Sequence, residues 1–238
     1  MRHNRYSCLD RAIRVRLWRG FGPEKPTELS SEAGCPAFTL CGDWAAEAAS
    51  ITYLSTTGVY GDLDGGWAME WTPINPGSER GRKRVRAEAA WRSVRRDVRI
   101  VRLPGIYGPG RSALERVREG RARRIVKAGH VFSRAHVDDI ASSLKALILS
   151  CASGAFNLCD DEAAPPQDVI AYAAELLGVD APSEVAFEDA ELSAMGRSFY
   201  AECKRVPNAR LKAVTGWRPR YPSYREGLSS IVKRALTV

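Results

Sequence analysis

The run Ser50-Ile51-Thr52-Tyr53-Leu54-Ser55-Thr56-Thr57-Gly58-Val59-Tyr60-Gly61-Asp62 constrains this chain more than any other stretch. It reads as a buried strand that ends in a row of hydroxyls and then a glycine turn. An open sheet of parallel strands builds its sites at the carboxyl ends of the strands, where hydroxyls and a permissive backbone meet a ligand. A strand that simply closes in a polar turn has the same pattern, so the segment alone leaves both readings open.

Periodicity predicts further strands over 98–103, 124–127 and 155–158, and helices over 79–95, 111–120, 138–150, 166–177 and 224–236. Strands alternating with amphipathic helices imply an α/β fold with a parallel sheet covered by helices. A chain of 238 residues with 45% hydrophobic content can bury one good core of one or two subdomains. No apolar run reaches membrane-span length and the N-terminus lacks the apolar core of a signal peptide, so a cytoplasmic protein without membrane contact is expected.

Six cysteines show neither C-x-x-C pairs nor a histidine at zinc-ligand spacing, which predicts reduced structural thiols and no metal site. The net charge of +8 gathers in the first 30 residues and between Arg80 and Lys127. A basic face suits nucleic acid or anionic small molecules. Aromatics are sparse within the basic segments and no helix-turn-helix pattern is present, so no nucleic-acid partner is expected.

Five motifs fall in a recognisable order. Ser55 to Gly61 is followed by Arg102-Leu103-Pro104-Gly105-Ile106-Tyr107-Gly108-Pro109-Gly110, and then by Arg134-Ala135-His136-Val137-Asp138-Asp139-Ile140-Ala141. Gly154-Ala155-Phe156-Asn157-Leu158 and Thr215-Gly216-Trp217-Arg218-Pro219 close the series. Over residues 35 to 238 this set resembles the extended short-chain dehydrogenases/reductases, in particular atypical NAD(P)-dependent epimerase/dehydratase-like members. The resemblance implies a Rossmann-like parallel sheet with helices on both faces and a small C-terminal substrate subdomain. It divides the chain into an atypical segment 1–34, the remaining NAD(P)-binding part 35–150 and a substrate-side part 151–238.

The beginning departs from that pattern. The family opens with a strand, a G-x-G-x-x-G turn and a helix whose N-terminus takes the pyrophosphate. Here Gly20-Phe21-Gly22 is followed by Pro23-Glu24-Lys25-Pro26, and two prolines so close disfavour a helix. The resemblance therefore implies a Rossmann sheet incomplete at the N-terminus. An N-terminally truncated chain is the expectation, with residues 1–30 either native or translated from a displaced reading frame.

Working members carry Y-x-x-x-K on one helix face, where the lysine lowers the tyrosine pKa for proton transfer. Counting back from Glu88, which resembles the family's glutamate beyond that motif, places Arg80 and Arg84 at the two positions. Guanidinium groups cannot exchange protons near neutrality, but they bind phosphate or carboxylate. The resemblance assigns Thr56 to the substrate oxygen, and Tyr60 and Tyr107 to the pocket lining, where either could substitute as an acid. Ser55 and Thr57 can join Thr56 in orienting a carbonyl or hydroxyl, Pro104 and Gly105 leave room for the nicotinamide end, and the resemblance implies that Ser55, Thr57, Pro104, Gly105 and Tyr107 line the cofactor site. His136 and Asp139 invite a catalytic-pair reading, but the segment sits before a helix, where Asp138 or Asp139 is expected to cap the N-terminus or neutralise Arg134. The implied function is an NAD- or NADP-dependent epimerase/dehydratase-like oxidoreductase, impaired in this form and open to homo-oligomerisation. Its substrate would be a small molecule, an anionic one if the two arginines bind it. The alternative is a non-catalytic nucleotide- or partner-binding protein that keeps the fold.

Overall fold

The computed structural model describes residues 35, 38, 45 and 47–235. The expected N-terminal segment, including Gly20 and Gly22, lies outside them. Strand β1 (Thr52–Thr56) pairs in parallel with β2 (Arg99–Leu103), and β2 with β6 (Gly154–Asn157), giving the order β1-β2-β6. Every residue of β2 is buried, as a central parallel strand covered on both faces requires.

Helix α1 (Glu79–Val94) starts at Ser78, whose side chain accepts from the Gly81 amide, and packs Ala87 and Trp91 against Tyr53 and Ile100 on one face of the sheet. Most of its other positions are charged, so its place on the sheet rests on that narrow apolar seam. The opposite face presents Val101, Leu103 and Phe156 to α3 (Val137–Ser150) and α6 (Ala209–Thr215), with Leu147, Leu211 and Trp217 completing the core.

A second layer lies beyond the carboxyl ends of the strands. Strands β3 (Gly105–Tyr107) and β5 (Arg134–His136) pair in parallel, as do β4 (Arg124–Val126) and β7 (Glu184–Ala186). Helices α2 (Ala113–Arg118), α4 (Pro166–Leu177) and α7 (Tyr224–Ala235) gather around Leu114, Ala173 and Leu228, and α5 (Ala194–Phe199) follows β7 in sequence. The arrangement is a Rossmann-like α/β sheet.

The predicted long elements fall within one or two residues of those observed, except that the helix expected over 111–120 is shorter. Its start is fixed by a capping box between Ser112 and Glu115, and Gly120 at φ 63° closes the turn after it. The expected division after residue 150 falls before β6, so the main sheet draws a strand from the segment beyond it. Among the described residues Cys35, Cys159 and Cys203 are thiols.

Candidate functional site

The register of the sheet places Ser55, Arg102 and Asn157 side by side, one from each strand. Side chains alternate along strands, so this row shares one face at the carboxyl end of the sheet, toward α1. There the Arg102 guanidinium donates to Glu88 through Nε at 3.1 Å and Nη2 at 2.8 Å, and the Ser55 hydroxyl donates to the same carboxylate at 2.6 Å. Arg102 Nη1 donates to the Tyr60 hydroxyl at 2.9 Å, and that hydroxyl donates to Asn157 Oδ1 at 2.7 Å. Asn157 then donates its side-chain amide to Ala68 O and its backbone N–H to the Glu70 carboxylate, tying the loop after Tyr60 over the strand ends.

All five residues of this row and its partners are buried, with Glu88 and Arg102 at 1% and 2% exposure. Burial works against the Arg102 charge, but Glu88 and Tyr60 more than offset it, and the guanidinium is held firmly protonated. Burial also pushes the Tyr60 hydroxyl above the usual phenol range, against the pull of Arg102. The row is a satisfied polar floor beneath the strand ends.

The sequence-nominated residues separate into two groups on this floor. Ser55 and Tyr60 belong to it. Tyr107 is likewise interior: its hydroxyl donates to Ser223 O at 3.4 Å, and a side chain added at Gly227 would overlap its ring. Burial, with Asp160 and Asp139 nearby, raises its pKa far out of reach of neutral-pH proton transfer. Thr57 is buried as the first residue of a 3-10 turn, Thr57–Val59.

Thr56, Pro104, Gly105, Arg80 and Arg84 remain at least partly open. Thr56 Oγ1 accepts from the Gly58 amide at 3.2 Å, which leaves its own proton to donate. Helix α1 is docked beside it by a close approach: a Cβ at Gly81 would stand 3.0 Å from Gly58 O and 2.7 Å from Pro76 Cβ. Arg80 is exposed, and Arg84 donates to the Tyr53 hydroxyl at 2.8 Å with its guanidinium 5.9 Å from the ring centroid. The pair does share the helix, yet Arg84 is anchored to β1 and Arg80 is not.

His136 caps α3 by accepting the Asp138 amide on Nδ1, and both Asp139 oxygens accept backbone amides of Arg220 and Tyr221. The segment does start a helix, but His136 is its cap, whereas Asp139 holds the Arg220–Tyr221 backbone and Asp138 pairs with Arg234. Sequence reasoning passed over Glu88, Arg102 and Asn157 as site-shaping residues; the alignment of Ser55, Arg102 and Asn157 across three strands, with Glu88 of α1 packed onto it, reveals them.

A second set of contacts ties a later segment to this region. Cys203 O accepts from the Leu63 and Gly65 amides, Arg205 exchanges backbone bonds with Gly66 and Ala68, and the Lys204 ammonium donates to Gly61 O. The C-terminal segment is thereby stitched to the loop that follows Tyr60. Among the described residues, no helix is long and apolar enough to cross a membrane.

No family model matches the chain. Among solved structures, a functionally unknown conserved protein from Silicibacter pomeroyi DSS is 46% identical, with a TM-score of 0.81 over 92% of this chain and 82% of that one. The NAD complex of dTDP-glucose 4,6-dehydratase from Bacillus anthracis str. Ames is 20% identical, with a TM-score of 0.65 over 84% and 65%. UDP-glucose 4-epimerase from Thermus thermophilus, also complexed with NAD, is 22% identical, with a TM-score of 0.65 over 84% and 67%. Among curated proteins, a 3-diazoavenalumate denitrifying reductase from a Streptomyces species is 29% identical over 140 residues, 54% of this chain and 45% of that one. The chain thus spans less than half the length of that curated relative. The chain is thus related to the functionally unknown Silicibacter pomeroyi protein, and it shares the Rossmann-like fold of the NAD-complexed dehydratase and epimerase.

Proposed function

We propose that this chain is an NAD(P)-dependent epimerase/dehydratase-like oxidoreductase whose acid/base step is impaired in this form. The observation that carries the reading is the presence of Arg80 and Arg84 four residues apart on α1, at the positions where the family places its tyrosine and lysine. Neither guanidinium can release a proton near neutrality. Tyr60 and Tyr107, the other tyrosines of the motifs, are committed to internal hydrogen bonds.

The described residues suit a dinucleotide at one end only. Gly105 is exposed, and a Cβ there would meet Ser133 O no closer than 3.6 Å, so the Pro104–Gly105 backbone offers an open, unobstructed edge to a nicotinamide ring. Ser55 and Tyr107 do not fit a role as ligand donors, because their hydroxyls are already spent on Glu88 and Ser223. A bound nicotinamide would supply hydride transfer; Thr56 would orient the substrate oxygen with its spare proton.

A second reading, a binding protein for an anionic nucleotide or metabolite, draws on the same pair of arginines. Both readings are tested by calorimetry with NADH and NADPH together with a stopped assay for nicotinamide oxidation. Weak binding without turnover is expected. Tight binding with turnover would restore a competent enzyme, and tight binding without turnover would select the binding protein.

A further inference from the structure

We infer that Arg134 binds a carboxylate of the substrate through the Nε–Nη2 edge of its guanidinium, in a recess beside the exposed backbone of Gly105. Strand β5 sets Arg134 opposite Gly105 of β3, and a Cβ at Gly105 would stand 4.0 Å from Arg134 Cγ, so the arginine stem runs alongside that backbone. Arg134 Nη1 donates to Phe132 O at 2.8 Å and to Ala164 O at 2.9 Å. Two main-chain carbonyls thereby fix the guanidinium at one corner. Its Nε and Nη2 make no hydrogen bond, and neither is among the polar atoms sealed from solvent.

The charge of Arg134 is unanswered. Among the described residues no carboxylate comes within ion-pair distance of it. Asp160, the acid nearest in effect, does not fill the gap: both its carboxyl oxygens are buried without a partner, and burial pushes its pKa well up against the pull of Arg134. Burial likewise draws the Arg134 pKa down, with Asp160 only partly opposing it and Arg116 adding to the fall. A desolvated cation without a counter-ion is costly, and such perturbed groups gather where a ligand supplies the missing charge.

The form of the ligand follows from the free edge. Nε–H and Nη2–H are parallel donors, the geometry that takes both oxygens of a carboxylate. Tyr200, which follows α5, packs edge-on to Phe132 at 5.9 Å and lies in the field of Arg134 and Arg116. Its hydroxyl makes no hydrogen bond and offers a further donor near the same charge. One unopposed cation in a desolvated recess balances a monoanion, whereas a phosphate dianion would bring a second charge and more oxygens than there are donors. Arg116 is exposed and solvated, so it does not supply that second charge inside the recess. The inference deepens the oxidoreductase reading by naming where the substrate's charge goes, and its test needs no cofactor.

The Arg134 Nε–H resonance of the full chain, followed by NMR during titration with acetate and separately with phosphate, reads the edge directly. A saturable shift with acetate is expected, with the Gly105 and Ala135 amides moving in step. Arg134→Lys keeps the charge but not the fork and should weaken acetate binding about tenfold, as read at those two amides. Tyr200→Phe, which keeps the ring packing, should weaken it by a smaller factor. Arg84→Ala should leave the Arg134 shift intact, which separates this recess from the arginines of α1. An Nε–H resonance indifferent to acetate, phosphate bound there as tightly as acetate, or acetate binding unchanged in Arg134→Lys would each overturn the proposal. Absence of turnover with NADH or NADPH would sink the oxidoreductase reading and leave this result standing.

Discussion

Arg102 and Glu88 face each other fork to carboxylate across the β2–α1 interface, with both side chains withdrawn from solvent. Their importance is asymmetric. Removing one partner leaves a buried charge without its counter-ion, whereas removing both leaves an apolar site. Arg102→Ala should therefore cost about 3–5 kcal/mol in denaturant unfolding. The double variant Arg102→Met with Glu88→Leu should lose less than either single change, although Tyr60 and Ser55 forfeit partners in all of them. Additive losses in the double variant would show that the pair is not coupled.

Gly81 holds α1 against the turn that follows β1. An alanine there puts its Cβ 2.7 Å from Pro76 Cβ and 3.0 Å from the Gly58 carbonyl, and the second neighbour is backbone that cannot swing aside. Gly81→Ala should destabilise the fold by about 1–3 kcal/mol even though alanine is the better helix former. Thermal melting is the check. A gain in stability would mean that the first turn of α1 shifts freely.

Much of this architecture is legible in the sequence because the long elements carry their own boundary signals. Ser78 before α1, the Ser112–Glu115 box of α2, Pro166 at the start of α4 and Gly178 at its end are all local chemistry. Strands β3, β5 and β7 are three residues each and exist only through their partners, so no periodic pattern announces them. The polar floor was hidden for the same reason. Ser55, Arg102 and Asn157 lie far apart in sequence and meet through register alone, and Arg102 sits in a strand that otherwise reads as core. Tyr60 was legible as part of a motif, but whether its hydroxyl faces a pocket or the interior depends on Asn157, which arrives from a strand nearly a hundred residues later.

Arg80 and Arg84 offer a direct test of anion binding on α1. Arg80 is exposed, and Arg84 keeps donor capacity beyond its bond to Tyr53. Titration with inorganic pyrophosphate should show that Arg84→Ala weakens binding by about 1.5–3 kcal/mol, the value of a charge-assisted contact. Arg84→Lys should recover part of it. Identical affinities for the parent chain and Arg84→Ala would remove this helix face from any role in ligand recognition.

His130 should weaken the fold as the solution turns acid. Its ring is 2% exposed, packs edge-on to Phe132 at 4.7 Å and stacks on Tyr200 at 5.2 Å. Burial, reinforced by the positive charges of Lys127 and Lys204 and only partly opposed by Asp62 and the Phe199 backbone, lowers its pKa from 6.5 to about 4. The folded protein therefore binds this proton more weakly than the unfolded chain. Stability is unaffected above the unfolded value and falls as pH drops from 6.5 toward 4, where the unfolded chain takes up a proton that the folded one refuses. His136, lowered by burial against the pull of Asp138 and Asp139, adds to the same trend. His130→Phe keeps the ring packing and removes the titration. Urea midpoints measured at neutral pH and again between the two pKa values should fall less in the variant than in the parent chain. Equal losses in both would mean that the imidazole opens to water before it protonates, and that the acid limit is set elsewhere.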